Sequence, residues 1–282
     1  MAALTASTRR RIDWGNPFVY FVALVVTAIT IVPVIYVILG GFRTTAQINA
    51  DPAGWPDPWT LDKYTDVLGS STFWTQVLNS TLVATGTTLG AVVLGVMAAF
   101  VIARYDFRGR AALFSLFTAG LLFPLQVAIV PLYVMLKNLG LLGTLAGVAI
   151  PQIAFALPTT IIILVPFLRA IPGELEDAAM IDGAGRFGFF WRILLPLSGP
   201  GLVTVGVLEF VKSWNAYLLP LLTLGSPKTA TLPLGVQYFS TAYSQDTAAV
   251  LAFTSLAMVP ALLFFTLAQR RIVGGLTGAV KG

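Results

Sequence analysis

Residues 145–184 read LAGVAIPQIAFALPTTIIILVPFLRAIPGELEDAAMIDGA. Leu145 to Phe167 carries no charged side chain, and about 20 apolar residues in a helix cross about 30 Å of hydrocarbon. Arg169, Glu174, Glu176, Asp177 and Asp182 then follow closely. The uncharged run belongs in lipid and the charged segment in water, so a membrane surface lies between them.

The rest of the chain repeats the first half of this pattern. Similar runs occur near Phe18–Leu39, Val77–Ile102, Ala111–Pro131, Leu202–Leu222 and Ala248–Leu267, giving six expected spans. The chain is 57% apolar and 10% charged, with a mean hydropathy of +0.85. A soluble domain does not reach these values. The fold class expected is therefore all-α integral membrane, with six transmembrane helices. Arg9, Arg10 and Arg11 precede the first run, but no small-residue cleavage site follows it, so it reads as a retained anchor.

The basic residues set the orientation. Arg9, Arg10, Arg11, Arg104, Arg108, Arg110, Arg169, Arg186, Arg192, Arg270, Arg271 and Lys281 fall on one side; Arg43, Lys63, Lys137 and Lys228 fall on the other, with Lys212 inside the fifth run. Basic residues near span ends stay in the cytoplasm, so both termini and Arg169–Pro200 are expected there. Outside, Trp55 to Trp59 reads as a turn before a short surface helix carrying Leu61, Tyr64, Val67 and Leu68; Leu132–Leu142 reads as a second surface element. Gly86-x-x-x-Gly90 and Gly143-x-x-x-Gly147 would let helices approach closely.

There is no Cys and no His, which excludes thiol and imidazole catalysis and most transition-metal sites. No cofactor, metal site or catalytic residue is expected. The net charge of +5 is scattered, unlike the basic stripe of a nucleic-acid binder. No Lys lies in a G-x-x-x-x-G-K-[ST] loop, so ATP is not expected to bind this chain.

Within the charged loop, Pro172 followed by Glu174, Glu176 and Asp177 suits the positive end of a helix. Gly183 is the natural stop, since glycine alone readily takes the left-handed conformation that closes a helix. Ala178 and Ala179 make this helix thin on one side, as insertion into a groove on another protein requires. Phe187, Phe190, Trp191 and Leu194 then give a second short helix an aromatic stripe that Pro196 and Pro200 end. An interfacial hairpin joining two spans is the plainer alternative.

Asp177, Ala178, Ala179, Asp182, Gly183, Ala184, Phe190, Ile193, Leu195, Pro196 and Pro200 stand in the places of E-A-A-x-x-D-G-A, F, I-x-L-P and a later P. The segment resembles the coupling loop of ABC importer permeases; Asp177 replaces the usual Glu, with Glu176 just before it. The tail from Gln269, including Gly275, Leu276, Thr277, Gly278 and Lys281, is similar to that of the second permease subunit of maltose-type importers. Its glycines suit an extended strand docked between two ATPase subunits. Phe210, Trp214, Asn215 and Pro220 follow the F-x-x-x-W-N-x-x-x-x-P pattern of sugar-type permeases.

The resemblance implies a type I ABC importer transmembrane fold in a bacterial cell membrane, laid out in three parts. Residues 1–72 would hold the tail, first helix and external loop; 73–269 the five-helix core with coupling loop 169–200; 270–282 the C-terminal tail. It also implies a partner permease, two copies of a cytoplasmic ABC ATPase, an extracytoplasmic solute-binding protein and a di- or oligosaccharide solute. Glu176, Asp177, Ala178, Ala179, Asp182, Gly183, Phe190 and Pro196 would couple to the ATPase. Glu209 and Lys212 sit three apart and either pair structurally or line the solute path with Trp214 and Asn215. An ion-coupled secondary transporter using Glu209 is the alternative. A membrane enzyme comes third, because Glu209 would have no His or Cys to assist it.

Overall fold

The computed structural model describes residues 17–239 and 245–279, with side chains to residue 266. Its elements are α1 (Pro17–Gly40), α2 (Thr45–Ala50), α3 (Asp62–Gly69), α4 (Ser71–Arg104), α5 (Arg110–Gly120), α6 (Leu125–Asn138), α7 (Leu145–Ala170), α8 (Glu174–Ile181), α9 (Arg186–Phe189), a π-helical turn Phe190–Leu194, α10 (Leu195–Leu197), α11 (Gly199–Trp214), α12 (Leu218–Thr223), a 3₁₀ segment Leu232–Phe239 and α13 (Thr247–Ala279). Among the described residues, α1, α4, α7 and the first 20 residues of α13 are each long and apolar enough to cross a membrane alone. Two bent pairs bring the count to as many as six: α5 with α6, bent by 97°, and Arg186–Leu197 with α11, bent by 73°.

The expected third and fifth spans are therefore not straight. The run Ala111–Pro131 stops at Gly120, and α6 starts after Pro124, whose extended φ/ψ of −77°/135° turns the chain. A residue before proline is also driven from the α region, so Phe123 cannot carry the helix through. Residues 125–131 continue instead into the expected surface element Leu132–Leu142, and α6 joins them as far as Asn138. The fifth run breaks at Asn215–Tyr217, between α11 and α12.

The core lies between α4 and α7. A Cβ on Gly95 would stand 2.2 Å from Thr160 Cγ2, and one on Gly90 would stand 2.4 Å from Ile153 Cδ1, so these glycines set the approach of the two helices. Gly86 faces open space, while Gly143 (φ +76°) and Gly147 serve the turn into α7, so of the four expected close-packing glycines only Gly90 joins helices. Val96, Ala99, Phe100, Ala103, Ile161, Leu164, Val165 and Leu168 fill the interface, and the same cluster continues into Ala179, Phe189, Phe190 and Leu194. The loop is thus part of the helix core.

On the other face, α2, α3 and the start of α13 form a polar cap. Arg43 is buried and its guanidinium donates to the backbone oxygens of Gln47 (2.8 Å), Asp51 (2.5 Å) and Pro52 (3.3 Å). Lys63 Nζ lies 2.7 Å from Asp246 Oδ2, and Thr45 Oγ1 donates to Asp246 Oδ1 at 2.7 Å. The expected surface helix is α3; α2 gave no sequence signal beyond its capping box, Thr44 with Gln47. α1 buries only its last residue, Gly40, against Leu251 of α13.

Candidate functional site: a coupling surface and an intramembrane cavity

The segment α8 begins where expected, with Glu174, Glu176 and Asp177 in its first turn. At its end Gly183 takes φ +80°; the Ala184 N–H donates to Ala179 O at 2.8 Å and the Gly183 N–H to Met180 O at 3.1 Å. These two bonds are the Schellman closure, which needs a left-handed residue at the position Gly183 fills.

The two adjacent acids face opposite ways. Glu176 is nearly buried, with Oε2 3.6 Å from Arg104 Nε at the end of α4, and Tyr105 Oη donates to its Oε1 at 3.3 Å. Arg104 also donates to Ile171 O at 2.9 Å and lies over the Phe189 ring. Asp177 is exposed. The expected thin face is likewise divided: Ala179 is buried in the core, whereas Ala178 is exposed. The small side chain of Ala179 lets α8 approach its own helices, so only Ala178 is left for a groove elsewhere.

The aromatic stripe also differs from expectation. Phe190 and Leu194 are buried, and so is Phe189, which the 3.6-residue spacing did not single out; Phe187 is 75% exposed and Trp191 is half-exposed. The cause is the π turn from Phe190 to Leu194, which widens the period and rotates Trp191 out of the buried row. Pro196 lies one residue before the end of the helical run Arg186–Leu197, in keeping with its expected role as a terminator, and Pro200 stands in the first turn of α11, where a missing N–H costs no bond. The outward surface of the loop therefore presents Asp177, Ala178 and Asp182 with Ile181 (86% exposed), Phe187, Met180 and Trp191. Carboxylates stand beside contiguous apolar side chains, as at a protein contact.

Within the apolar region a cavity of about 240 Å³ opens among α4, α6, α7 and α11. Glu209 is 3% exposed and accepts from Lys212 Nζ at 3.3 Å; the Lys212 side chain is 57% exposed. Opposite them Gln152 of α7 accepts at Oε1 from Thr87 Oγ1 (3.1 Å) and Ser213 Oγ (2.5 Å). Gln152, Thr87, Ser213 and Gln126 were missed in the sequence: Gln152 and Gln126 are single polar residues within apolar runs, Thr87 is one of several threonines in its stretch, and Ser213 sits next to Lys212. Trp214 and Asn215 lie elsewhere: Trp214 is buried, stacks on Phe210 and donates to Ala257 O of α13 at 3.4 Å, and Asn215 Nδ2 donates back to Val211 O. The four expected path residues thus fall on two faces of α11, and the cavity receives only Glu209 and Lys212.

The expected extended tail is helical as far as it is described. The helix α13 runs through Gly274, Gly275, Leu276, Thr277 and Gly278 to Ala279. After Pro260 no proline interrupts it, and each added residue contributes one more backbone hydrogen bond. Lys281 and Arg9 to Arg11 lie outside the described residues.

This architecture has close counterparts. The chain superimposes on a bacterial ABC transporter involved in the import of the acidic polysaccharide alginate with a TM-score of 0.78, over 96% of this chain and 99% of that one, at 19% identity. In sequence it is 35% identical to the diacetylchitobiose uptake system permease protein of Streptomyces coelicolor, over 89% of this chain and 84% of that one. It is 35% identical to the trehalose transport system permease protein of Mycobacterium tuberculosis (91% and 94%) and 31% identical to the arabinooligosaccharides transport system permease protein of Halalkalibacterium halodurans (95% of each). Residues 91–277, which hold most of the α4–α7 interface, the exposed α8 surface and the cavity lining except Thr87, match one family throughout, and the chain belongs to it: the binding-protein-dependent transport system inner membrane components.

Proposed function

We propose that the chain is one of two permease subunits of an ATP-driven importer, forming half of the membrane path for a di- or oligosaccharide delivered by an extracytoplasmic binding protein. ATP hydrolysis takes place on a separate cytoplasmic ATPase dimer. Three of the related permeases act on diacetylchitobiose, trehalose and arabinooligosaccharides, which gives the solute class. The distribution of Lys and Arg supports the orientation, with the termini and the α8 loop in the cytoplasm.

One observation carries the mechanism. The outward side of α8 is exposed and carries charge, while its inner side shares a core with α4 and α7 and holds Arg104 through Glu176. A push on Asp177, Ile181 and Phe187 by the closing ATPase therefore moves α4 and α7 as packed bodies, because a close-packed core transmits displacement with little compression. The tail residues Gly275 to Lys281 add a second contact to the ATPase. The polar cap of α2 and α3 faces the binding protein.

The test is uptake in membrane vesicles holding both permeases, the ATPase and the binding protein. Accumulation of radiolabelled trehalose or diacetylchitobiose should require ATP and survive an ionophore. Uptake that persists without ATP and collapses with the ionophore would overturn the reading. Family membership already leaves the ion-coupled use of Glu209 without support.

A further inference from the structure

Where the end of α4 meets α9 and the π turn, the molecule carries an apolar groove of about 330 Å³. Phe100 and Phe190 form its floor, their ring centroids 5.0 Å apart. Met97, Val101 and Tyr105 of α4 make one wall, and Phe187 and Trp191 make the other. Phe187 is shared with the outward surface of the loop.

The groove straddles a membrane surface. Leu89, Val93, Met97 and Val101 recur every four residues along α4, and each is at least 43% exposed. Close helix packing in a membrane calls for small side chains on the contact face. This row has none, so it faces lipid tails. At Tyr105 the helix ends, and Arg108 and Arg110 follow Arg104 into water. Tyr105 therefore stands at headgroup level, where membrane proteins concentrate tyrosine and tryptophan. From Met97 to Tyr105 the groove covers about 12 Å of helix axis, close to the roughly 15 Å of one hydrocarbon leaflet. A single acyl chain matches that length.

The charge at the wet end selects among lipids. Arg186 lines the groove with its guanidinium carbon 4.8 Å from the centroid of the Tyr105 ring. It is exposed, and among the described residues it pairs with no carboxylate. The Tyr105 hydroxyl is committed to Glu176, so the groove's one free polar group at this end is a cation. A basic residue beside a membrane surface attracts anionic headgroups. An apolar channel ending at an uncompensated cation suits an amphiphile with a negative head.

We infer that this groove holds one acyl chain of an anionic phospholipid, with the phosphate against Arg186 and the chain along Met97, Val101 and Trp191. The lipid lies across the seam between α4 and the α9 segment, which Phe100 and Phe190 close from inside. The site involves neither solute nor ATP, so it stands apart from the importer reading.

The test uses phosphatidylglycerol and phosphatidylcholine, each carrying a photoactivatable diazirine on one acyl chain. They are supplied in turn to the full chain in phosphatidylcholine nanodiscs, and to the same chain assembled with its ATPase, and the crosslinked peptides are located by mass spectrometry. Phosphatidylglycerol should mark residues 97–105 and 186–191 more strongly than phosphatidylcholine does. Arg186→Gln should lower the phosphatidylglycerol mark about fivefold, the effect of one Arg at an anionic surface, and leave the phosphatidylcholine mark unchanged. Val101→Trp fills the groove from an exposed position and should lower the mark of both lipids on 186–191; it decides the matter if Arg186→Gln fails to fold. Equal marking by the two lipids in the wild type, or a full mark in either folded variant, overturns the site. Loss of the mark when the ATPase binds assigns the groove to the ATPase contact and overturns it as well.

Discussion

Glu176 and Arg104 meet at 3.6 Å beneath the coupling surface, joining the first turn of α8 to the last turn of α4. Asp177, one residue on, faces outward. Neighbouring carboxylates thus differ, one tied to the end of α4 and one open to solvent; in the proposed importer the first fastens the lever and the second meets the ATPase. Glu176→Gln should destabilise the purified subunit, toward the lower end of the about 3–5 kcal/mol lost when one member of a buried pair is removed. Asp177→Asn should leave the melting temperature unchanged and weaken association with the ATPase. Thermal unfolding and co-purification measure the two effects.

Gly183 offers a cleaner separation of backbone from side-chain effects. Its φ of +80° disfavours any L side chain, yet nothing lies within 4 Å of an added Cβ. Gly183→Ala should cost about 1 kcal/mol and Gly183→Val more, by conformational strain alone. Both should impair sugar uptake while membrane abundance, read by immunoblot, stays near wild type. Normal uptake by Gly183→Val would count against a lever that depends on this turn.

Packing between α4 and α7 predicts a contrast between two glycines of one helix. Gly95→Leu must displace Thr160 and should cost about 1–3 kcal/mol through overpacking. Gly86→Leu meets open space and should leave the melting temperature of the isolated subunit unchanged.

Acid should loosen the outer cap. Burial alone raises the pKa of Asp246, but hydrogen bonds from Lys63, Thr45 and the Ala249 N–H, with the Lys63 charge, outweigh it and hold the carboxyl below its ordinary value. A carboxyl with a depressed folded pKa adds stability that is fully present above its unfolded pKa, about 3.9, and is lost as pH falls through the folded value. Melting temperature should therefore fall below about pH 4 in the wild type, and that component should vanish in Asp246→Asn.

Much of this was legible in the sequence. The long apolar runs gave α1, α4, α7 and α13, and the three acids and Gly183 gave both ends of α8. Three features were not legible, each for a physical reason. An unbroken apolar run between Ala111 and Pro131 hides the 97° bend, because hydropathy reports depth and not direction; Pro124 was its one local sign. A fixed period of 3.6 placed Phe187 and Trp191 on one stripe with Phe190 and Leu194 and passed over the buried Phe189, because one π turn shifts the phase. Family pattern grouped Trp214 and Asn215 with Glu209 and Lys212, but residues this close along a helix point to different faces, and α13 covers Trp214.

The central claim is that the outward face of α8 meets the ATPase. Because the chain has no cysteine, Ile181→Cys creates its only thiol, at a position 86% exposed. A maleimide photo-crosslinker placed there in the assembled importer should give a product containing the ATPase subunit, with a yield that changes when ATP is added. Labelling of Cys at 181 by an impermeant maleimide from outside intact cells, or irradiation that never captures the ATPase, would contradict the account.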